Sequence, residues 1–178
     1  MRKKLSVLVL SVFILMLLPA ISGSAKKPLI GTMSLEYNLL WPGYQAEIPD
    51  WIGTITLDTD GDGISEEYGM VFFCIGTGKP FDTDVRGNVV FFGEIWAIYD
   101  WVTFDFVTQD FEHGNVVLLG TDEGTVSLKN SKYRMNGVVT ETNDDCSDWL
   151  GRSVHMSGII EWYPFGAPHY APGTFRIN

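Results

Sequence analysis

Cysteine is nearly absent from this chain, with only Cys74 and Cys146 in 178 residues, and histidine is almost as scarce: His113, His155 and His169 are scattered singly. That scarcity removes the Cys/His spacings of zinc and iron–sulfur sites. There is no HExxH, no GxSxG, and no glycine-rich phosphate loop closed by a lysine. Basic residues are outnumbered, 12 Lys and Arg against 22 Asp and Glu, for a formal net charge of −10. A surface of that sign repels phosphate backbones and anionic membranes, so nucleic acid is not an expected partner. Helical periodicity is missing after the first 25 residues, and so is any second long apolar run.

The one long apolar run is N-terminal. Arg2, Lys3 and Lys4 precede Leu5–Leu18, and Pro19 with Ser22-Gly23-Ser24-Ala25 follows. A basic start, an apolar stretch shorter than the ~20 residues of a spanning helix, and small residues at its end form a signal-peptide pattern with cleavage after Ala25. An uncleaved anchor is the alternative. The expectation is a signal peptide over 1–25 and a single domain over 26–178, secreted or otherwise extracytoplasmic, with no membrane insertion after cleavage. Losing Arg2, Lys3 and Lys4 takes the formal charge from −10 to −13. An even pair of cysteines in that compartment predicts a Cys74–Cys146 disulfide, stabilising by roughly 4 kcal/mol on a chain-entropy model.

What the chain has in quantity is alternation. Thr54–Leu57, Val102–Phe106 and Val154–Trp162 alternate as half-buried strands do, while Met70–Ile75 and Val89–Tyr99 read as strands covered on both faces. Val116–Leu119, Val126–Leu128, Tyr133–Thr142 and Phe175–Ile177 complete an all-β, antiparallel reading of about eight to nine strands. Turn residues separate them at Gly76-Thr77-Gly78, Arg86-Gly87-Asn88, His113-Gly114-Asn115 and Asp122-Glu123-Gly124. Trp162–Gly173, with three prolines and two glycines, reads as a long loop. Tyr133–Thr140 echoes Val154–Glu161, Met135 matching Met156 and Gly137 matching Gly158. A Gly-Thr-apolar pattern also recurs from Gly31, Gly53, Gly124 and Gly173. Mid-strand glycines at equivalent positions are what a small closed barrel uses to turn its corners, so a barrel is preferred to a sandwich. That register predicts Met135, Val139, Met156 and Ile160 inside.

One motif carries chemistry. Residues 58–67, DTDGDGISEE, hold five carboxylates in ten positions. A hard cation takes six to eight oxygens, and alternate carboxylates on a tightly turning loop supply them. Asp58, Asp60 and Asp62 fall at the first, third and fifth ligand positions, with Gly63 at the sharp turn. Ile64 offers a backbone carbonyl, Glu66 stands at the ninth position and Glu67 is an extra candidate. These ten residues resemble the calcium loops of dockerins and of thrombospondin type 3 repeats. The departure is at position twelve, where Gly69 replaces the bidentate Glu, and the flanks read as strands. The resemblance therefore implies a structural Ca²⁺ loop in a β-hairpin, with affinity of roughly 10⁻⁴–10⁻³ M. A plain polar turn is the alternative. The second acidic stretch, Asn143–Asp148, is expected at the far end of the hairpin if Cys146 is bonded to Cys74.

No catalytic residue is assigned. The functional expectation is a secreted acidic β-domain that binds or interacts. Its alternatives are a carbohydrate-binding module using exposed Trp and Tyr rings, and a barrel with an internal small-molecule ligand or active site faced by Arg134, His155 and Glu161.

Overall fold

Runs of β-branched and aromatic residues with inward–outward alternation become strands wherever a neighbouring strand can accept their backbone hydrogen bonds. The computed structural model describes residues 27–40, 48–73 and 82–178, without the side chains of 82–83 and 91–94. Its strands are β1 (Leu29–Tyr37), β2 (Trp51–Leu57), β3 (Glu66–Phe73), β4 (Asp82–Thr83), β5 (Val89–Tyr99), β6 (Val102–Phe104), β7 (Phe111–His113), β8 (Val116–Val126), β9 (Lys132–Thr142), β10 (Ser153–Ile159), β11 (Glu161–Trp162) and β12 (Pro168–Ile177).

Neighbours run β1-β2-β3-β5-β8-β9-β10-β12, every pair antiparallel, and β12 returns to β1 with Leu29 opposite Ile177. The fold is thus all-β, a closed eight-stranded antiparallel barrel with extra strands. Closure removes the sheet edges that an open sheet would leave for aggregation. Strand alternation fixes two ends. The upper end carries the connections 38–50, 74–88, 127–131 and 160–167, and the lower end carries 58–65, 100–115 and 143–152.

The interior is filled by Ile55, Leu57, Met70, Trp96, Ile98, Leu118, Val139, Val154, Met156, Phe175 and their neighbours. Met135, Val139, Met156 and Ile160 are all buried, as the register of the echoed strands predicts. Met135 and Met156 face each other directly across β9 and β10. Cys146 and Trp149 belong to the same core: the loop after β9 makes a 3₁₀ turn (Ser147–Trp149) that closes the lower end.

A second cluster lies outside the barrel wall. β6 and β7 pair as a hairpin, and its Val102, Phe104, Phe106 and Phe111 pack on Ile52, Val71, Phe73, Ala97 and Tyr99. This hairpin is the physical reason that β3 and β5 read as apolar on both faces. Its tip is tied to the upper end: Asn38 Nδ2 donates to Gln109 Oε1 at 2.6 Å, and Gln109 Nε2 donates to Asn38 Oδ1 at 3.2 Å.

Three sequence expectations are corrected. Asp122-Glu123-Gly124 is not a turn; it lies inside β8, which runs unbroken and absorbs the segments expected separately at Val116–Leu119 and Val126–Leu128. Asp, Glu and Gly dominate turns, but here β5 and β9 on either side hold the segment extended. The expected loop over Trp162–Gly173 contains most of β12, whose pairing with β1 starts at Tyr170. The Gly-Thr segment at Gly31 lies in β1, a strand that the alternation pattern does not reveal.

The mid-strand glycines act as space rather than as hinges. A Cβ on Gly158 or Gly173 would collide with the Tyr133 ring or hydroxyl, and Tyr133 donates to the Pro172 carbonyl at 3.3 Å. Both glycines are therefore the floor on which a large interior side chain rests. Gly173→Ala should lower stability by about 1–3 kcal/mol, as overpacking does, and Gly173→Ala with Tyr133→Phe should recover part of it. Equal melting temperatures for parent and Gly173→Ala would refute this packing.

Candidate functional site

The loop between β2 and β3 folds as its composition dictates. Gly61 and Gly63 take φ of 80° and 88°, the left-handed region that a side chain resists. Between those glycines the Asp side chains turn back on the chain. Asp58 accepts from Gly61 N at 2.7 Å and Gly63 N at 3.0 Å, Asp60 from Asp62 N at 3.1 Å, and Asp62 from Ile64 N at 2.7 Å. Asp58, Asp60 and Asp62 each bring a carboxylate oxygen within 4.8 Å of the others. A cation placed among them has three anionic oxygens at once, and the spare lone pairs of each carboxylate stay available.

Glu66 and Glu67 do not join that cluster. Glu66 is held by the Tyr68 hydroxyl, which donates to Oε2 at 2.5 Å and is itself bonded to Thr59 at 3.0 Å. Burial, and then the Glu66 contact, push the Tyr68 hydroxyl above its ordinary range. Glu67 pairs with Thr56 one register step along, so it projects to the other face of β3. Ile64 is exposed at the loop tip.

Asp144, Asp145 and Asp148 lie at this same lower end, because β2 and β9 run in the same direction and both finish there. The far-end expectation for this stretch is overturned. Cys146 sits close enough to Tyr68, near the start of β3, to act on its hydroxyl. Cys74 lies outside the described residues. Its chain neighbour Phe73 ends β3 at the upper end, about 17 Å of extended strand from Tyr68. Disulfide partners need Cα atoms within about 7 Å, so the expected Cys74–Cys146 bond has no support in the fold.

Arg134, His155 and Glu161 are exposed. Arg134 and His155 alternate with Met135 and Met156 and so point away from the barrel interior, where an internal ligand would lie; His155 Nδ1 meets Asn136 Oδ1 at 2.7 Å across the outer face. The tryptophans divide by position. Trp96 and Trp149 are core, Trp51 borders the interior, and Trp101 and Trp162 are partly exposed. Trp41 lies outside the described residues. On the upper rim Phe165 stacks on Tyr163 at 5.0 Å and 9°, with His169 tilted against Tyr163 at 4.1 Å. These rings spend most of their faces on one another.

The upper interior holds what composition does not reveal. Met33, Leu35, Trp51, Phe72, Val126, Tyr133, Met135, Ile160 and Ala171 surround a cavity of about 50 Å³. Asp122 belongs to the same inward-facing set on β8 as Val126, opposite Gly137 on β9, and is 4% exposed. Neither of its oxygens has a hydrogen-bond partner among the described residues. Asp50, also buried, donates its N–H to the Phe72 carbonyl at 3.0 Å and precedes Trp51, so its chain borders the cavity wall. Burial, and then the negative charge of Asp50, push the Asp122 carboxyl up to about 8. Burial raises the Tyr133 hydroxyl as well. Strict alternation along β8 is the signal that points to Asp122, and the turn-like composition around it hides that signal.

No family model, curated protein or solved structure matches this chain. Among the described residues no helix is long and apolar enough to cross a membrane, which says nothing of a β-barrel.

Proposed function

We propose that the protein is an extracytoplasmic β-barrel that binds or interacts rather than catalyses, and that the β2–β3 loop holds Ca²⁺ as a structural ion. The observation that carries the calcium reading is the convergence of Asp58, Asp60 and Asp62 around two left-handed glycines. In a plain turn their mutual repulsion would go uncompensated, and a divalent cation relieves it. The oxygen-only donor set suits a hard cation and not a thiophilic metal. The compartment rests on the N-terminal basic, apolar and small-residue order. The loop is anchored between two barrel strands, so its ligands have little room to swing, and a staple fits them better than a switch. The carbohydrate reading has only the exposed outer side of Phe165 in its favour.

An ion that binds only the folded chain stabilises by about 2.7 kcal/mol at a hundredfold excess over Kd. For a domain of this size that corresponds to roughly 5–11 °C in Tm. Chelator should remove that increment while the far-UV spectrum stays β. Asp60→Ala should abolish the calcium response with the least damage to the loop, because Asp60 accepts one backbone N–H where Asp58 accepts two. A melting curve indifferent to both chelator and millimolar Ca²⁺ sinks the reading.

A further inference from the structure

The upper interior of the barrel combines chemistries that conflict without a third party. Trp51, Phe72, Tyr133 and Met135 give the cavity a carbon surface. One inward step along β9 from Met135 lies Gly137, and opposite it the carboxyl of Asp122, buried and without a donor among the described residues. An unmet buried acceptor costs about 1–3 kcal/mol, and more when it is charged. Asp50 adds a second buried carboxyl close enough for Asp122 to feel its charge. Among the described residues, the strands beside Asp122 bring no positive charge to it: its register partner on β9 is Gly137 and on β5 is Glu94. Positive charge delivered between the two Asp residues would relieve their repulsion.

We propose that this upper interior binds a small organic cation, an amine with a short apolar body, its ammonium group donating to Asp122 and Asp50 and its body lying in the cavity beside Trp51, Phe72 and Tyr133. The class follows from what the walls reject. A hard metal needs six to eight oxygens, and these walls are mostly carbon. An anion meets two carboxyls. A neutral apolar molecule fills the space and leaves the Asp122 carboxyl unmet. An ammonium brings three N–H donors, and aromatic faces attract it through their quadrupoles. The cavity, about 50 Å³, limits the body to a few carbons, since drug-sized ligands occupy roughly 300–1,000 Å³. The formal net charge of −10 also raises the local concentration of cations.

Binding displaces a proton. Asp122 keeps its proton to higher pH than an exposed carboxyl does, and an ammonium takes that proton's place as the compensating charge. Affinity therefore rises with pH as the carboxyl ionises, while an alkylamine stays charged, as lysine does, to about pH 10. The site is at the opposite end of the barrel from the β2–β3 loop and stands independently of the calcium reading.

The test is calorimetric titration of the folded protein, in buffer containing Ca²⁺, with n-butylammonium chloride and, as its neutral isostere, n-butanol. One saturable amine site in the millimolar range is expected. Its heat should vary with the ionisation enthalpy of the buffer, which reports the released proton, and n-butanol should give no saturation at the same concentrations. Asp122→Asn, which keeps the side-chain shape, should weaken the amine by roughly tenfold or more, the loss of a charge-assisted hydrogen bond. Asp60→Ala should leave it unchanged. No amine binding, equal binding to folded Asp122→Asn, binding without proton release, or n-butanol binding as tightly as the amine would each overturn the proposal.

Discussion

Asp122→Asn should flatten the pH dependence of stability, so that the variant gains on its parent from pH 4 to about pH 8. The Asp122 carboxyl is raised in the folded protein from 3.8 to about 8, by burial first and by the charge of Asp50 second. Between those values the folded chain binds a proton that the unfolded chain has released. Stability therefore falls as pH rises through that window. The contribution is complete below the unfolded pKa and is lost once pH passes the folded one. A displacement of that size corresponds to roughly 5 kcal/mol, an upper figure because water and side-chain adjustment soften the burial of a charge. Asn carries no proton equilibrium, so the variant's profile lacks this slope. Its amide also needs partners in the same apolar place, which adds a constant offset at every pH. The readout is thus the difference between parent and variant near pH 8 minus that near pH 4, from denaturant unfolding. Parallel profiles for the two proteins would show that Asp122 titrates as an exposed carboxyl does.

Trp96→Ala should be the most damaging single truncation of a tryptophan in the chain, and Trp101→Ala one of the mildest. Trp96 is fully buried, edge-on to Phe175 at 5.4 Å and 76°, and its ring occupies the space that a Cβ on Gly120 would need. Removing it deletes contacts on all sides at mid-barrel, where the closed wall cannot collapse inward. Such truncations cost about 3–5 kcal/mol. For a domain of this size that is roughly 6–20 °C in Tm, a large share of a stability of about 5–15 kcal/mol. Trp101 is 48% exposed beside the β6–β7 hairpin, so its loss should cost no more than about 1 kcal/mol. Thermal melts of the two variants decide between these assignments, and comparable losses would contradict the place of Trp96 in the core.

The β2–β3 loop is legible in the sequence because its chemistry is local. Asp at alternate positions and Gly where the chain must turn left-handed are requirements of a few consecutive residues, and Asp58–Ile64 meet them wherever the loop sits. The all-β class is legible for a similar reason, since alternation is a property of each strand alone. Barrel closure is visible indirectly, through glycines at Gly137, Gly158 and Gly173 that make sense only beneath large interior side chains.

Asp122 is not legible. Asp-Glu-Gly carries the composition of a turn, and local preference in a strand yields readily to the ladder on either side. β5 and β9 hold the segment extended, and the inward alternation of β8 then sends Asp122 to the barrel interior. No window of sequence contains that information, because Asp50, Gly137 and Asp122 come from three distant segments. The same holds for the lower end: local spacing separates Asn143–Asp148 from the acidic β2–β3 loop, whereas the direction of β9 brings the two to one mouth. Strand content, the oxygen-rich chemistry of one loop and the negative sign of the surface can all be read from the chain, because each depends on composition or on residues near one another along it. Which carboxylates meet water and which meet carbon cannot be read that way, because that depends on the faces a closed sheet turns inward.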